Sequence, residues 1–312
     1  MRPSVETRKR LFTVTFGERS MTDDTKPHRP LLTGKDLLDR IFDNQDRVAA
    51  VTDERWVQLG LQASACYAAV GTVVGYLDRM ASCWWGCQGG HHRIEYLCGR
   101  ATAQTLAALR LMRFGSYDEA LLLCRSLGEI ANLLFLFRVE PASFAEWMTA
   151  SEGARRRSFS PVSVRMRLIA GGIDAPIDEH RYRLLSGRAA HVSPDTVPQS
   201  HNLLGVPGIG LGWQGIGAVV CLNEIATALA LVTVAGSFVL GFDKQLQDEI
   251  HDVCRALVTH IGPIDLGHVE KADHELRQNP DARTIFEEVA KAIKAEQAAN
   301  PRRSSGEGDP QE

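Results

Sequence analysis

The run Tyr117-Asp118-Glu119-Ala120-Leu121-Leu122-Leu123-Cys124-Arg125-Ser126-Leu127-Gly128-Glu129-Ile130-Ala131-Asn132-Leu133-Leu134-Phe135-Leu136-Phe137 decides how this chain folds. Its apolar residues recur at helical rather than alternating spacing, and they cover so much of the circumference that the helix must be buried on most sides. Within it sit three polar residues at helical spacing. Arg125, Glu129 and Asn132 stand at i, i+4 and i+7, on one stripe of that helix. An unpaired ion taken out of water costs on the order of several kcal/mol, so these groups must pair with each other or with another helix. They form either a structural ion pair that fixes helix register or a functional polar cleft.

Outward from this segment the helical period continues almost without interruption. It predicts helices near 35–44, 52–80, 91–114, 117–138, 143–151, 161–170, 177–189, 214–241, 244–260 and 281–298. Ser116 with Glu119, and Ser143 with Glu146, have the spacing of capping boxes. Ser160-Pro161 and Asn279-Pro280 place a capping residue before a proline at the first helical position. The expected fold is all-α, a single bundle-like domain over 31–262 with a long apolar central helix, then a linker and C-terminal helix over 263–299. Residues 1–30 and 300–312 read as disordered tails, rich in Arg, Ser, Asp, Gly and Pro, with Met21 a candidate start.

The composition is that of an ordinary folded protein: 312 residues, 44% hydrophobic, 23% charged, formal net charge -3. These values exclude disordered, collagen-like and disulfide-scaffold classes, and the near-neutral balance argues against a whole-surface nucleic-acid binder. Seven lysines stand against 28 arginines, with no lysine between Lys35 and Lys244. GC-rich coding explains that bias; selection for planar, bidentate anion contacts is the physical alternative. Between Ser151 and His191 eight arginines face four acids. Arg155-Arg156-Arg157 reads as a solvated loop, whereas Arg165, in an apolar helix, calls for a defined partner, with Glu129 the candidate.

From Ile225 to Phe242 no charge occurs, which reaches the minimum length of a spanning helix. Thr227, Thr233 and Ser237 dilute the stretch and no basic flank marks a boundary, so a buried helix of a soluble core is preferred over a membrane-associated protein. The short apolar run Leu11–Phe16 does not make a signal-peptide core, and seven cysteines, mostly in apolar runs, suit reduced thiols in a cytoplasmic protein.

Three further groups carry chemistry. Cys83, Cys87 and His91 are spaced by four, beside His92 and Glu95, as helix-borne zinc ligands can be. Gly86, Gly89 and Gly90 break the helix that would align them, so the sequence assigns no metal, and it calls for no cofactor. The segment Arg181-Tyr182-Arg183-Leu184-Leu185-Ser186-Gly187-Arg188-Ala189-Ala190-His191-Val192-Ser193-Pro194 puts Tyr182 and Ser186 on one face, and Pro194 ends its helix soon after His191. A histidine near a helix C-terminus is either a cap or a usable acid or base. The glycines of Gly205–Gly212 lack the strand and the Gly-Lys-Ser/Thr ending of a phosphate loop and read as a connection.

The blocks Leu106–Gly115, Tyr117–Phe137, Phe159–Val164 and Tyr182–Pro194 resemble a group of bacterial all-helical proteins of uncharacterised function, with an Arg-Ser-x-x-Glu helix followed by a Tyr-x-x-Leu-Ser...His motif. The Arg...His pairing is faintly similar to the HEPN superfamily, whose ribonuclease members use an arginine with a histidine five or six positions later. Here Arg188 is three and Arg183 eight positions before His191. The resemblance therefore implies the helical fold more than an activity.

The expected site gathers Arg125, Glu129, Asn132, Arg165, Tyr182, Arg183, Ser186 and His191 around a polar cleft whose arginines favour an anionic ligand, a nucleotide or RNA phosphate. Were it catalytic, His191 would be the acid or base, with Ser186 beside it. The alternative is a non-catalytic regulatory or interaction scaffold that forms homo-oligomers.

Overall fold

A computed structural model describes residues 33–87, 92–187, 212–261 and 291. They form ten α-helices and one 3₁₀ turn, with no strand among the described residues, so the all-α expectation holds. In order these are α1 (Gly34–Arg55), the 3₁₀ turn Trp56–Leu59, α2 (Leu61–Ala81), α3 (Arg93–Arg113), α4 (Tyr117–Val139) and α5 (Ala142–Thr149). There follow α6 (Glu152–Ser158), α7 (Pro161–Ala170), α8 (Glu179–Leu185), α9 (Gly215–Val239) and α10 (Lys244–Thr259). By compactness the chain divides after Leu38, and Asp39–Glu312 is the unit that holds every residue discussed below.

The helix ends show where local sequence rules won and where they lost. Ser160 caps α7 as its spacing predicts, its Oγ accepting from Ser163 N at 3.2 Å ahead of Pro161. Ser116 makes no capping bond. Its backbone is already committed to closing α3: Gly115 takes φ +79°, and Ser116 N donates to Leu111 O at 2.9 Å. That leaves ψ at 67° rather than the extended value that turns a capping side chain back on the next helix. Ser143 lies inside α5, not at its start, and its Oγ donates to Leu136 O.

The helix expected over 52–80 is two helices. Gly60, at φ +91°, ends the 3₁₀ turn, and the chain bends by 120° there. Arg155-Arg156-Arg157 belongs to the short helix α6 instead of a loop, because Ser151 caps its first turn and Arg156 pairs with Glu152 at 2.5 Å. The helix expected over 281–298, with its Asn279-Pro280 start, lies outside the described residues apart from residue 291.

The central pair is α4 and α9, packed along each other; α3 lies against both. Helix α2 closes on α3, α9 and α10, while α5, α7 and α8 cover the remaining side of α4. Leu121, Leu127 and Leu134 of α4 and Leu222, Ile225 and Leu229 of α9 are buried in one continuous core. Close approach is built in with glycine. A Cβ on Gly217 would stand 2.7 Å from the Tyr117 ring, and one on Gly128 would stand 2.6 Å from Ile177. Tyr117 Oη also accepts from Gln214 N at 2.9 Å, which fixes the entry of α9. Helices α4 and α9 are each long and apolar enough to cross a membrane, and 61% and 67% of their most apolar stretches are buried inside the bundle.

Candidate functional site

The polar stripe of α4 meets α7 and α8 at one tyrosine. Arg125 pairs with Glu129 one turn on, Nη2 to Oε1 at 3.1 Å, and donates through Nη2 to Tyr182 Oη. Its guanidinium carbon stands 4.6 Å from the centre of the Tyr182 ring, and that of Arg165 stands 4.7 Å from the same centre. Two cations therefore lean on one ring, and Glu129 pairs with one of them.

Glu129 is taken by Arg125 on its own helix rather than by Arg165, which corrects the partner read from sequence. Arg165 is 7% exposed, makes no ion pair among the described residues, and its Nη1 has no hydrogen-bond partner. Among the described residues Arg125 Nε and Ser186 Oγ are also buried without a partner. Three donors thus lack acceptors around a cationic cluster, and buried donors are almost always satisfied.

Asn132 has a different task. Its Nδ2 donates to Ile177 O and its Oδ1 accepts from Ile177 N, both at 2.9 Å, so the side chain clamps the segment leading into α8 onto α4. The same segment presses Ile177 against Gly128. Arg183 faces solvent and pairs with Glu179 on its own helix, away from the cluster. Ser186 follows α8 directly and is buried; no base among the described residues reaches its Oγ. His191, the expected acid or base, lies outside the described residues, as does Arg188.

Two clefts flank the cluster. The first, about 290 Å³, is lined by Arg100, Ser126, Glu129, Phe159, Val164 and Tyr182 among others. The second, about 330 Å³, runs past Val162, Arg165, Met166 and Ile169, with Asp174, Asp178 and Glu179 along it. Tyr182 walls one and Arg165 the other, so their stacked pair stands between the two. Two acids of the second cleft are occupied: Asp178 caps α8 by accepting from Arg181 N at 2.7 Å, and Glu179 binds Arg183.

Sequence reasoning missed two residues. Arg100, on the rim of the first cleft, makes no ion pair among the described residues and adds a third arginine to the site. Arg181 reaches Glu224 of α9 with Nε at 2.9 Å and Nη2 at 2.8 Å. The second was legible, because Glu224 is the sole charge between Gln214 and Phe242 and an ion in such a helix needs a partner. Nothing in the spacing of Arg100 distinguishes it from a solvated arginine.

The core thiols are chemically quiet. Burial pushes Cys66 up to about 11 and Cys98 and Cys254 up to about 12, with Cys124 higher still, so all four are protonated at neutral pH. Comparison with known proteins found nothing to set beside this geometry: the chain matches no family model, no curated protein and no solved structure.

Proposed function

We propose that the chain binds a nucleotide-sized anion in the first cleft, where Arg100 supplies a lining cation and Phe159, Val164 and Tyr182 an apolar wall, with Arg125 and Arg165 standing against the same Tyr182 ring. The observation that carries this reading is Arg165, a guanidinium nine-tenths buried that has no ion pair, and no hydrogen-bond partner for Nη1, among the described residues. A cation in that position is costly unless something answers its charge; Arg165 walls the second cleft with Asp174, Asp178 and Glu179, while the first cleft sets Arg100 beside Glu129. A phosphate accepts several such donors at once, and a cleft of about 290 Å³ with an aromatic wall suits a single nucleotide. The reading stops at binding and carries no catalytic step.

The test is a thermal-shift and calorimetric series with nucleoside mono-, di- and triphosphates, inorganic phosphate and a short single-stranded RNA. At least one nucleotide should raise the Tm of the wild type and leave Arg165→Met unmoved. Binding of the RNA without any mononucleotide would reassign the site to a nucleic-acid phosphate, and no shift with any probe would end the proposal.

A second reading, a non-catalytic scaffold that self-associates, is favoured by the outer face of α7. Val162, Met166 and Ile169 stand at i, i+4 and i+7 and each is more than half exposed, a contiguous apolar stripe along one helix face. Sedimentation should then show a dimer that Met166→Glu dissociates. Both readings place the protein in the cytosol, supported by α4 and α9 turning most of their apolar surface toward each other and their neighbours. Recovery of the chain in a carbonate-washed membrane pellet would argue against that placement.

A further inference from the structure

The turn between α2 and α3 gathers three side chains of metal-binding type. One ligand atom each from Cys83, Cys87 and His92 lies within 4.8 Å of both others. Cys83 Sγ and His92 Nδ1 are 3.4 Å apart. Ligands on one tetrahedral zinc, with bonds of about 2.3 Å to sulfur and about 2.1 Å to nitrogen, sit about 3.6 Å apart for sulfur and nitrogen and about 3.8 Å for two sulfurs. A thiol–imidazole hydrogen bond would account for one of these approaches. A hydrogen bond between Cys83 and Cys87 accounts for the other, so that all three donor atoms converge at the turn.

The backbone is shaped to hold this arrangement. Cys83 at φ +57° and His92 at φ +52° are the only residues other than glycine in the left-handed region among the described residues, and each carries a ligand atom. Gly86, at φ +94°, tightens the turn, its N donating to Cys83 O at 2.9 Å. The sequence spacing places the donors on a helix with His91; the structure uses the turn, and His92 is the histidine that joins the two sulfurs.

A buried acid stands behind the cluster. Glu95, in the first turn of α3, is 3% exposed, and its Oε1 lies 3.9 Å from His92 Nδ1. A carboxylate removed from water favours a cation beside it. Two thiolates, an imidazole and a nearby carboxylate form a donor set that selects a borderline-soft ion over magnesium or calcium. The other five cysteines are buried in the core and do not compete for it.

We propose that Cys83, Cys87 and His92 bind zinc, with the Glu95 carboxylate beside the fourth corner, and that the ion clips the end of α2 to the start of α3. The clip would hold Trp85 in place, which stacks on Tyr76 and meets Phe242 edge-on. This proposal is independent of the anion site.

The full chain, purified under reducing conditions, should carry one zinc by elemental mass spectrometry. After stripping with a chelator it should take up Co²⁺, used as the probe, with a thiolate charge-transfer band and the intense visible absorption of a tetrahedral site. Glu95→Gln should weaken Co²⁺ binding by about 10- to 100-fold, and Cys83→Ser, Cys87→Ser and His92→Ala should weaken it further, while Cys254→Ala leaves it intact. A stripped wild type that shows no thiolate band on cobalt titration overturns the proposal, even if a ligand variant fails to fold. So does full affinity in either cysteine variant, or a Cys83–Cys87 disulfide that, once reduced, still takes up no metal.

Discussion

Two arginines on neighbouring helices lean toward the central pair and end differently. Arg181 of α8 meets Glu224 of α9 through two of its nitrogens, and the pair is complete. Arg165 of α7 is buried more deeply, yet it finds only the face of Tyr182. The first charge is answered within the fold and holds α8 on α9. The second is left with one aromatic ring, and that incompleteness separates a structural ion from a candidate binding group.

The contrast breaks most completely where both arginines lose their footing. Asn132→Ala removes the clamp on Ile177 and leaves two buried backbone groups unsatisfied, so chemical denaturation should show a loss of about 3 kcal/mol. Next in size is Glu224→Ala, which strands Arg181 beside an apolar helix. Because both side chains keep some contact with water, the expected loss is about 2 kcal/mol, below that of a fully buried pair, and Arg181→Ala, Glu224→Ala together should cost less than the two changes summed.

Arg165→Met should go the other way. Removing an unanswered buried charge while keeping its bulk should stabilise the unliganded chain by about 1 kcal/mol. A loss of similar size in urea denaturation would show that the stack on Tyr182 already satisfies the cation, and the contrast with Arg181 would disappear. The smallest effect belongs to Arg183→Ala. Its pair with Glu179 is in solvent, and unfolding should shift by less than about 0.5 kcal/mol, with nucleotide binding unchanged.

Much of this is legible in the sequence. Helical period identified the class, and the spacing of Arg125, Glu129 and Asn132 correctly placed them on one stripe facing other helices. What the stripe does was not legible. Glu129 could be assigned to either arginine, and the i,i+4 geometry of its own helix decided for Arg125. Asn132 binds backbone rather than a side chain, and no residue type announces a backbone partner 45 positions away. Capping rules held at Ser160, whose own backbone is extended, and failed at Ser116, where the closing turn of one helix uses the backbone needed to cap the next. The gathering of Cys83, Cys87 and His92 was invisible to helical spacing because two left-handed residues and a glycine produce it.

The pairing of α4 with α9 also bears on how the protein is made. The core's two central helices are residues 117–139 and 215–239, so a chain emerging from the ribosome presents the apolar flank of α4 well before its partner has been synthesised. Until α9 arrives, that flank must be covered by α3 or by a chaperone, and any product truncated before residue 215 would expose it permanently. Gly217 then has to meet Tyr117 closely as α9 docks, since a Cβ there would stand 2.7 Å from the ring.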